Sequence, residues 1–62
     1  MTRLNTAPNL TGVDDVYESL VGLLDDPDPQ VSLRRQSRLI LLLANHIGDR
    51  QVITEAIRAA RD

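Results

Sequence analysis

An uninterrupted apolar run, Leu39-Ile40-Leu41-Leu42-Leu43-Ala44, lies in the middle of the chain. An α-helix turns by about 100° per residue, so six consecutive apolar residues in a helix point in all directions around its axis. A helix that is apolar all round must be covered all round. Because the chain has only 62 residues, we expect this run to be covered in part by another polypeptide.

The length and composition favour a single small domain that gains stability by assembly. A compact chain of this size buries about 60% of the surface that its unfolded form exposes, which leaves little stabilisation from a core. The chain has no cysteine, so neither disulfides nor thiolate metal sites can stabilise it further. Oligomerisation is then the expected source of additional stability. Neither a membrane-spanning run nor a secretory signal is present in the sequence, which predicts a cytoplasmic protein.

The first of three predicted helices covers about residues 12–25. Its apolar residues recur at spacings of three and four, which is typical of one apolar stripe. Thr11 is predicted to be the N-cap, with Asp14 completing a variant of the capping box. The helix should end at the two prolines of the segment 25–29, because a residue before proline is disfavoured in the α conformation.

Two further helices are predicted at about residues 29–47 and 49–61. Asp28 is a good N-cap and Pro29 a good first helical residue. Gly48 is predicted to end the second helix in a left-handed conformation, and Asp49 to cap the third helix.

These helices predict an all-α fold in which the second helix is central. Residues 1–10 have no periodicity and are predicted to form a flexible arm, whereas residues 11–62 form a single helical domain. A two-fold homodimer is the simplest way to cover the remaining apolar surface, as part of a helical bundle. The predicted interface residues are Leu39, Ile40, Leu42, Leu43 and Ile47.

The charges of the chain are divided unequally. Residues 1–28 carry a net charge of −5 and residues 29–62 a net charge of +3, and every basic residue is arginine. The arginine cluster Arg34, Arg35 and Arg38 could contact phosphate. Because the chain is acidic overall, we expect these arginines to pair instead with the aspartates of the segment 25–28 or with the acidic face of the first helix.

The turn after the second helix contains the chain's single histidine. His46 and Asp49 are three residues apart, so two such pairs across a two-fold axis could surround a metal. The favoured interpretation is structural. We expect His46 to interact with the carbonyl end of its helix, Asn45 to form a hydrogen bond near the turn, and Asp49 to act as a cap.

The same segment is similar to the turn of a helix-turn-helix motif. In that interpretation the side chains that contact DNA would be Arg50, Gln51, Thr54 and Arg58. Asp49 and Thr54, however, occupy positions at which such motifs usually bury an apolar residue. DNA binding is therefore kept as the alternative hypothesis.

The residues needed for catalysis are absent from the sequence pattern. The serines predicted to lie on helices have no histidine at helical spacing, and the three glycines are too widely separated to form a phosphate-binding loop. We expect no catalytic residue, no cofactor and no resident metal.

The segment Leu41-Leu42-Leu43-Ala44-Asn45-His46-Ile47-Gly48-Asp49, with the residues 14–20 and 56–61, resembles a family of short bacterial proteins known as domain of unknown function 2783. The resemblance covers about residues 13–61. The family has no established activity. The resemblance implies a small stand-alone protein found near flavin-dependent aromatic hydroxylases and other enzymes of aromatic degradation.

Two hypotheses follow. In the first, the chain is a non-enzymatic helical protein that acts by association, as a homodimer or as an accessory subunit, for example of a flavin-dependent enzyme of aromatic catabolism. In the second, it is a minimal DNA-binding regulator.

Overall fold

The computed structural model describes residues 3–62, so Met1 and Thr2 of the predicted arm lie outside it. Within this range the chain forms three helices, α1 (Val13–Leu24), α2 (Pro29–Ile47) and α3 (Arg50–Arg61). The prediction of an all-α fold is confirmed, and each helix end lies within one residue of its predicted position.

The start of α1 differs from the prediction. The residue before the helix is Gly12, with φ 63° and ψ 42°, and no side chain caps the first turn. The prediction of Thr11 as N-cap was therefore wrong. The glycine adopts a left-handed conformation that side chains disfavour, and its carbonyl oxygen accepts the bond from Val16 N at 3.0 Å. Asp14 and Asp15 still lie in the first turn, where negative charge is favourable.

The connection between α1 and α2 is built from side-chain and backbone hydrogen bonds. The Asp26 carboxylate accepts a bond from Asp28 N at 2.9 Å, and the Asp28 carboxylate accepts one from Gln30 N at 2.9 Å. Pro29 is the first residue of α2. The predictions of Asp28 as N-cap and of Pro29 as the first helical position are confirmed.

The connection between α2 and α3 consists of two residues. Gly48 has φ 71°, and its N–H donates to the carbonyl oxygen of Ala44 at 3.0 Å, as expected for a glycine that ends a helix. The Asp49 carboxylate then accepts bonds from Gln51 N at 2.9 Å and from Val52 N at 3.3 Å. Both predicted caps are confirmed.

The central position of α2 is also confirmed. Helices α1 and α3 both pack on α2, and within residues 3–62 they do not pack on each other. The radius of gyration is 13.2 Å, whereas a compact domain of this length has about 11 Å. The accessible surface is 5738 Å², compared with about 4,000 Å² for a typical folded monomer of 6.9 kDa. A single copy is therefore an open arrangement of helices.

The segment before α1 has no regular secondary structure from Arg3 to Gly12. It is nevertheless joined to α3, because the N–H of Leu4 donates to the Glu55 carboxylate at 3.3 Å. The Leu4 and Glu55 side chains are both half-buried. The segment around Leu4 therefore lies beside the last helix.

The length and apolar character of the three helices also decide whether any of them could cross a membrane. Among the residues described, none of α1, α2 and α3 combines the length and the apolar character that crossing a membrane requires.

Candidate functional site

The central apolar run is exposed over most of its length. Residues 40–43 have exposed fractions between 52% and 70%. Throughout residues 3–62, no side chain reaches the burial typical of a protein core. Folded proteins of ordinary stability bury such residues, so the run is the first candidate site for binding another polypeptide.

The five predicted interface residues lie on different sides of α2. Leu39 is half-buried and lines the contact with α1, beside Val16, Leu20 and Leu23. It is therefore part of the packing within one copy, and it is less available to a partner than the residues that follow it.

Three of the remaining residues, Ile40, Leu43 and Ile47, lie together. They form one wall of an apolar groove between α2 and α3, with a volume of about 340 Å³. We call this the α2–α3 groove, and its full lining is Ile40, Leu43, Ala44, Ile47, Ile53, Ala56, Ile57 and Ala60. The apolar residues of α3 form the other wall. The groove has an almost entirely apolar surface, as expected of a site that binds another apolar surface.

Leu42 lies elsewhere, next to Leu41. These two leucines and the side chains of Arg38 and Asn45 surround a separate shallow depression, which we call the Leu41–Leu42 surface. Leu41 and Leu42 are 70% and 69% exposed. Because Leu43 and Leu41 are two residues apart, they differ by about 160° in direction around the helix. One flat interface cannot cover both the groove and this second surface.

Helix α1 carries a further exposed apolar stripe. Val16, Leu23 and Leu24 are half-buried, whereas Val13, Tyr17 and Val21 remain exposed. Their spacing of four residues places these three on one side of the helix. We call them the free α1 stripe.

Of the three arginines predicted to pair with acidic residues, only Arg35 does so within residues 3–62. Arg35 Nη2 lies 3.8 Å from the Asp26 carboxylate, and Arg35 Nη1 donates to the carbonyl oxygen of Leu23 at 3.1 Å. Arg34 and Arg38 are exposed and form no ion pair within residues 3–62, so the pairing predicted for them was wrong. In the described part of the chain, only Arg35 of the cluster pairs with the segment 25–28.

The residues of the turn between α2 and α3 mainly stabilise the ends of these helices. His46 lies in the last turn of α2, where a cation is favourable, and its side chain is exposed. Asp49 caps α3 and Gly48 ends α2, as described above. The expected hydrogen bond of the Asn45 side chain is absent from the part of the chain that the structure describes, because this side chain points outward beside Leu41 and Leu42.

The other candidate chemistries have little geometric basis. The described residues contain no group of three or more histidine, cysteine or acidic side chains that could hold a metal. The hydroxyls of Ser19, Ser32 and Ser37 donate to backbone carbonyl oxygens within 3.0 Å. They are therefore engaged in local hydrogen bonds.

The four residues of the DNA-binding hypothesis are all exposed on α3, as that hypothesis requires. The Thr54 hydroxyl donates to the carbonyl oxygen of Arg50 at 2.9 Å. The polar face of α3 is thus accessible.

Two sets of hydrogen bonds were missed in the sequence. Ser32 and Arg35 hold the carbonyl oxygens of Leu24 and Leu23, and Glu55 holds the segment before α1. The carbonyl groups at the end of a helix lack partners within it. A polar side chain early in the next helix is the signal that could have identified Ser32, whereas Glu55 had no local signal.

Comparison with curated proteins and with solved structures finds no match. A family model described as "Protein of unknown function (DUF2783)" matches residues 4–62. The match includes all three helices, the turn at Asn45–Asp49 and the groove between α2 and α3. The chain is therefore a small three-helix protein that belongs to the DUF2783 family, whose function is unknown.

Proposed function

We propose that this protein acts by protein–protein association and that it forms a homodimer in which apolar surface around α2 becomes buried. The observation that carries this proposal is the exposure of residues 40–43 in the middle of the central helix. Apolar burial stabilises by about 25 cal/mol per Å². An isolated copy leaves much of this stabilisation unused.

The size of the exposed surface supports the same proposal. The chain exposes roughly 1,700 Å² more than a typical folded monomer of its mass. A standard protein–protein interface buries about 800 Å² on each partner. The excess is large enough for a dimer interface and for a second contact.

A non-catalytic role is part of the proposal. The depressions between the described helices are open grooves, and the serine hydroxyls are held by backbone carbonyl groups. The groove between α2 and α3 is apolar on both walls. Its chemistry suits packing, since a catalytic site needs convergent polar groups.

We further propose that a homodimer leaves one surface for a larger protein. The Leu41–Leu42 surface faces away from the α2–α3 groove and is bordered by Arg38 and Asn45. A large enzyme is the kind of partner that an accessory subunit would bind there. Affinity purification with wild-type protein and with Leu41→Asp as the control tests this, because the variant should lose the partner and keep the dimer.

Binding to DNA is the second candidate function. The accessibility of Arg50, Gln51, Thr54 and Arg58 on α3 favours it. The net charge of −2 opposes it. Titration with duplex DNA at increasing salt is the test, because a genuine phosphate contact weakens steeply with salt.

Urea unfolding at several protein concentrations tests the proposed association. A protein that folds as a dimer becomes more stable as its concentration rises. We expect the unfolding midpoint to increase across about a 100-fold range of protein concentration, as mass action requires. A midpoint that is independent of concentration would contradict self-association.

A further inference from the structure

The exposed apolar stripe of α1 and the exposed apolar residues of α3, Ile57 and Ala60, are bordered by opposite charges. On α1, the free stripe of Val13, Tyr17 and Val21 has Asp14 and Glu18 along one edge. Rotation by about 100° per residue places Asp14 beside Val21, which is seven residues later. Asp25, directly after the helix, continues the same edge. We call Asp14, Glu18 and Asp25 the acidic edge, and all three are exposed.

The side of α3 that carries Ile57 and Ala60 has a basic edge in the corresponding place. Arg50 and Arg61 are eleven residues apart, which is close to three turns, so they point in nearly the same direction. Ile57 lies between them along this side of the helix. We call Arg50 and Arg61 the basic edge, and both are exposed. The acidic residues Asp14 and Asp25 have the same spacing of eleven.

These edges do not meet within one copy. Within residues 3–62, α1 and α3 do not pack on each other, and the single ion pair joins Arg35 to Asp26. Both edges therefore remain without ionic partners inside the described part of the chain. A complementary surface is available on a second copy.

The direction of the packing follows from the position of the edges. In both helices, the charged edge follows the apolar stripe in the same rotational sense, by about 50 to 100°. Two facing helices with this arrangement bring the edges to the same side only when they run antiparallel. Antiparallel packing sets Asp14 opposite Arg61 and Asp25 opposite Arg50. It also aligns the two helix dipoles favourably.

We propose that the occupant of the exposed α1 and α3 faces is a second copy of this chain, with α1 of each copy packed antiparallel against α3 of the other. Two symmetric contacts of this kind close over the α2–α3 grooves, whose exposed Leu43 lies on α2 between the sides that contact α1 and α3. This inference rests on the proposed self-association. It adds which helices meet and which charges select the partner.

The charge pattern permits a test that separates contacts between copies from contacts within one copy. One variant is Arg50→Glu with Arg61→Glu, and the other is Asp14→Arg with Asp25→Arg. In each variant one substitution improves and the other worsens the match to the helix dipole, so helix stability is approximately preserved. The matched controls are Arg58→Glu on α3 and Asp15→Arg on α1, which lie away from the edges.

Each double variant alone places like charges opposite each other at both symmetric contacts. We expect its dimer dissociation constant to rise at least about tenfold, because several weak exposed pairs change sign together. An equimolar mixture of the two variants should form a heterodimer, since every contact again joins opposite charges. Sedimentation equilibrium and native mass spectrometry measure both quantities, and circular dichroism checks helix content.

The outcomes distinguish this inference from the proposal on which it rests. A wild-type dimer with unaffected double variants would overturn the α1–α3 arrangement and leave self-association intact. If dimerisation were restored only when all four substitutions are in one chain, the α1–α3 arrangement would also be overturned. The contact between the two edges would then lie within one copy. A monomeric wild type would refute self-association itself. If a double variant does not fold, mixing Asp14→Arg with Arg61→Glu applies the same test.

Discussion

The hydroxyl of Ser32 donates a hydrogen bond to the carbonyl oxygen of Leu24 at 2.7 Å. Leu24 is the last residue of α1, and Ser32 lies in the first turn of α2. This bond, with that from Arg35 to Leu23 at 3.1 Å, holds the end of one helix against the start of the next. We expect these two bonds to stabilise the packing of α1 on α2.

Replacement of Ser32 by alanine should lower the free energy of unfolding by about 1 kcal/mol, because the half-buried Leu24 carbonyl group loses the hydroxyl and keeps only the bond from Asp26 N at 3.0 Å. Urea unfolding at fixed protein concentration measures the change. Ser37→Ala is the matched control, since Ser37 donates only to Leu33 within its own helix and is exposed. Equal losses in the two variants would contradict the structural role of Ser32.

Replacement of Asp49 by alanine should cost about 1 kcal/mol, because two N–H groups at the start of α3 lose their acceptor. Asp49→Asn should remain within a few tenths of a kcal/mol of wild type, because asparagine caps helices about as well. Thermal unfolding followed by circular dichroism compares the variants. If the asparagine variant loses as much as alanine, the negative charge and not the cap is responsible.

Replacement of Gly48 by alanine should destabilise by about 1 kcal/mol, because a φ of 71° is unfavourable for any residue with a Cβ atom. Gly22→Ala should have the opposite effect. Gly22 lies inside α1, and an added Cβ would have open space around it, so a gain of about 0.5 to 1 kcal/mol is expected. The contrast between the two urea midpoints checks both expectations, and a loss at both positions would contradict the second.

Replacement of Leu43 by aspartate should abolish dimer formation while the helices of each copy remain, because Leu43 lines the α2–α3 groove and is 52% exposed in a single copy. Burying a carboxylate without a partner costs several kcal/mol. Leu41→Asp is the matched control, since Leu41 is 70% exposed and lies outside the groove. Light scattering should find a monomer for the first variant and a dimer for the second.

Local rules were sufficient to predict the helices and most of their ends. Asp28, Gly48 and Asp49 each act through residues no more than four positions away, so their roles follow from spacing alone. Thr11 was assigned wrongly because the chain uses the left-handed conformation of Gly12 immediately before α1. Propensity favours threonine as a cap, but it does not indicate where the chain must turn.

Contacts between distant residues could not be predicted in the same way. The bond from Leu4 N to Glu55 spans 51 positions, and no periodicity connects the two residues. The sequence also did not indicate which side of α2 packs against which helix, because an apolar run that extends around the whole helix has no preferred face. Only the positions of α1 and α3 show that Leu39 packs within a copy while Leu42 and Leu43 belong to different exposed surfaces.

Sedimentation equilibrium of the wild-type protein tests the central claim most directly. The exposed apolar surface predicts a species of twice the 6.9 kDa chain mass at micromolar concentration, with dissociation on dilution. A stable helical monomer of 6.9 kDa that persists at about 100 µM, well above the concentration expected to drive a specific dimer, would contradict the account.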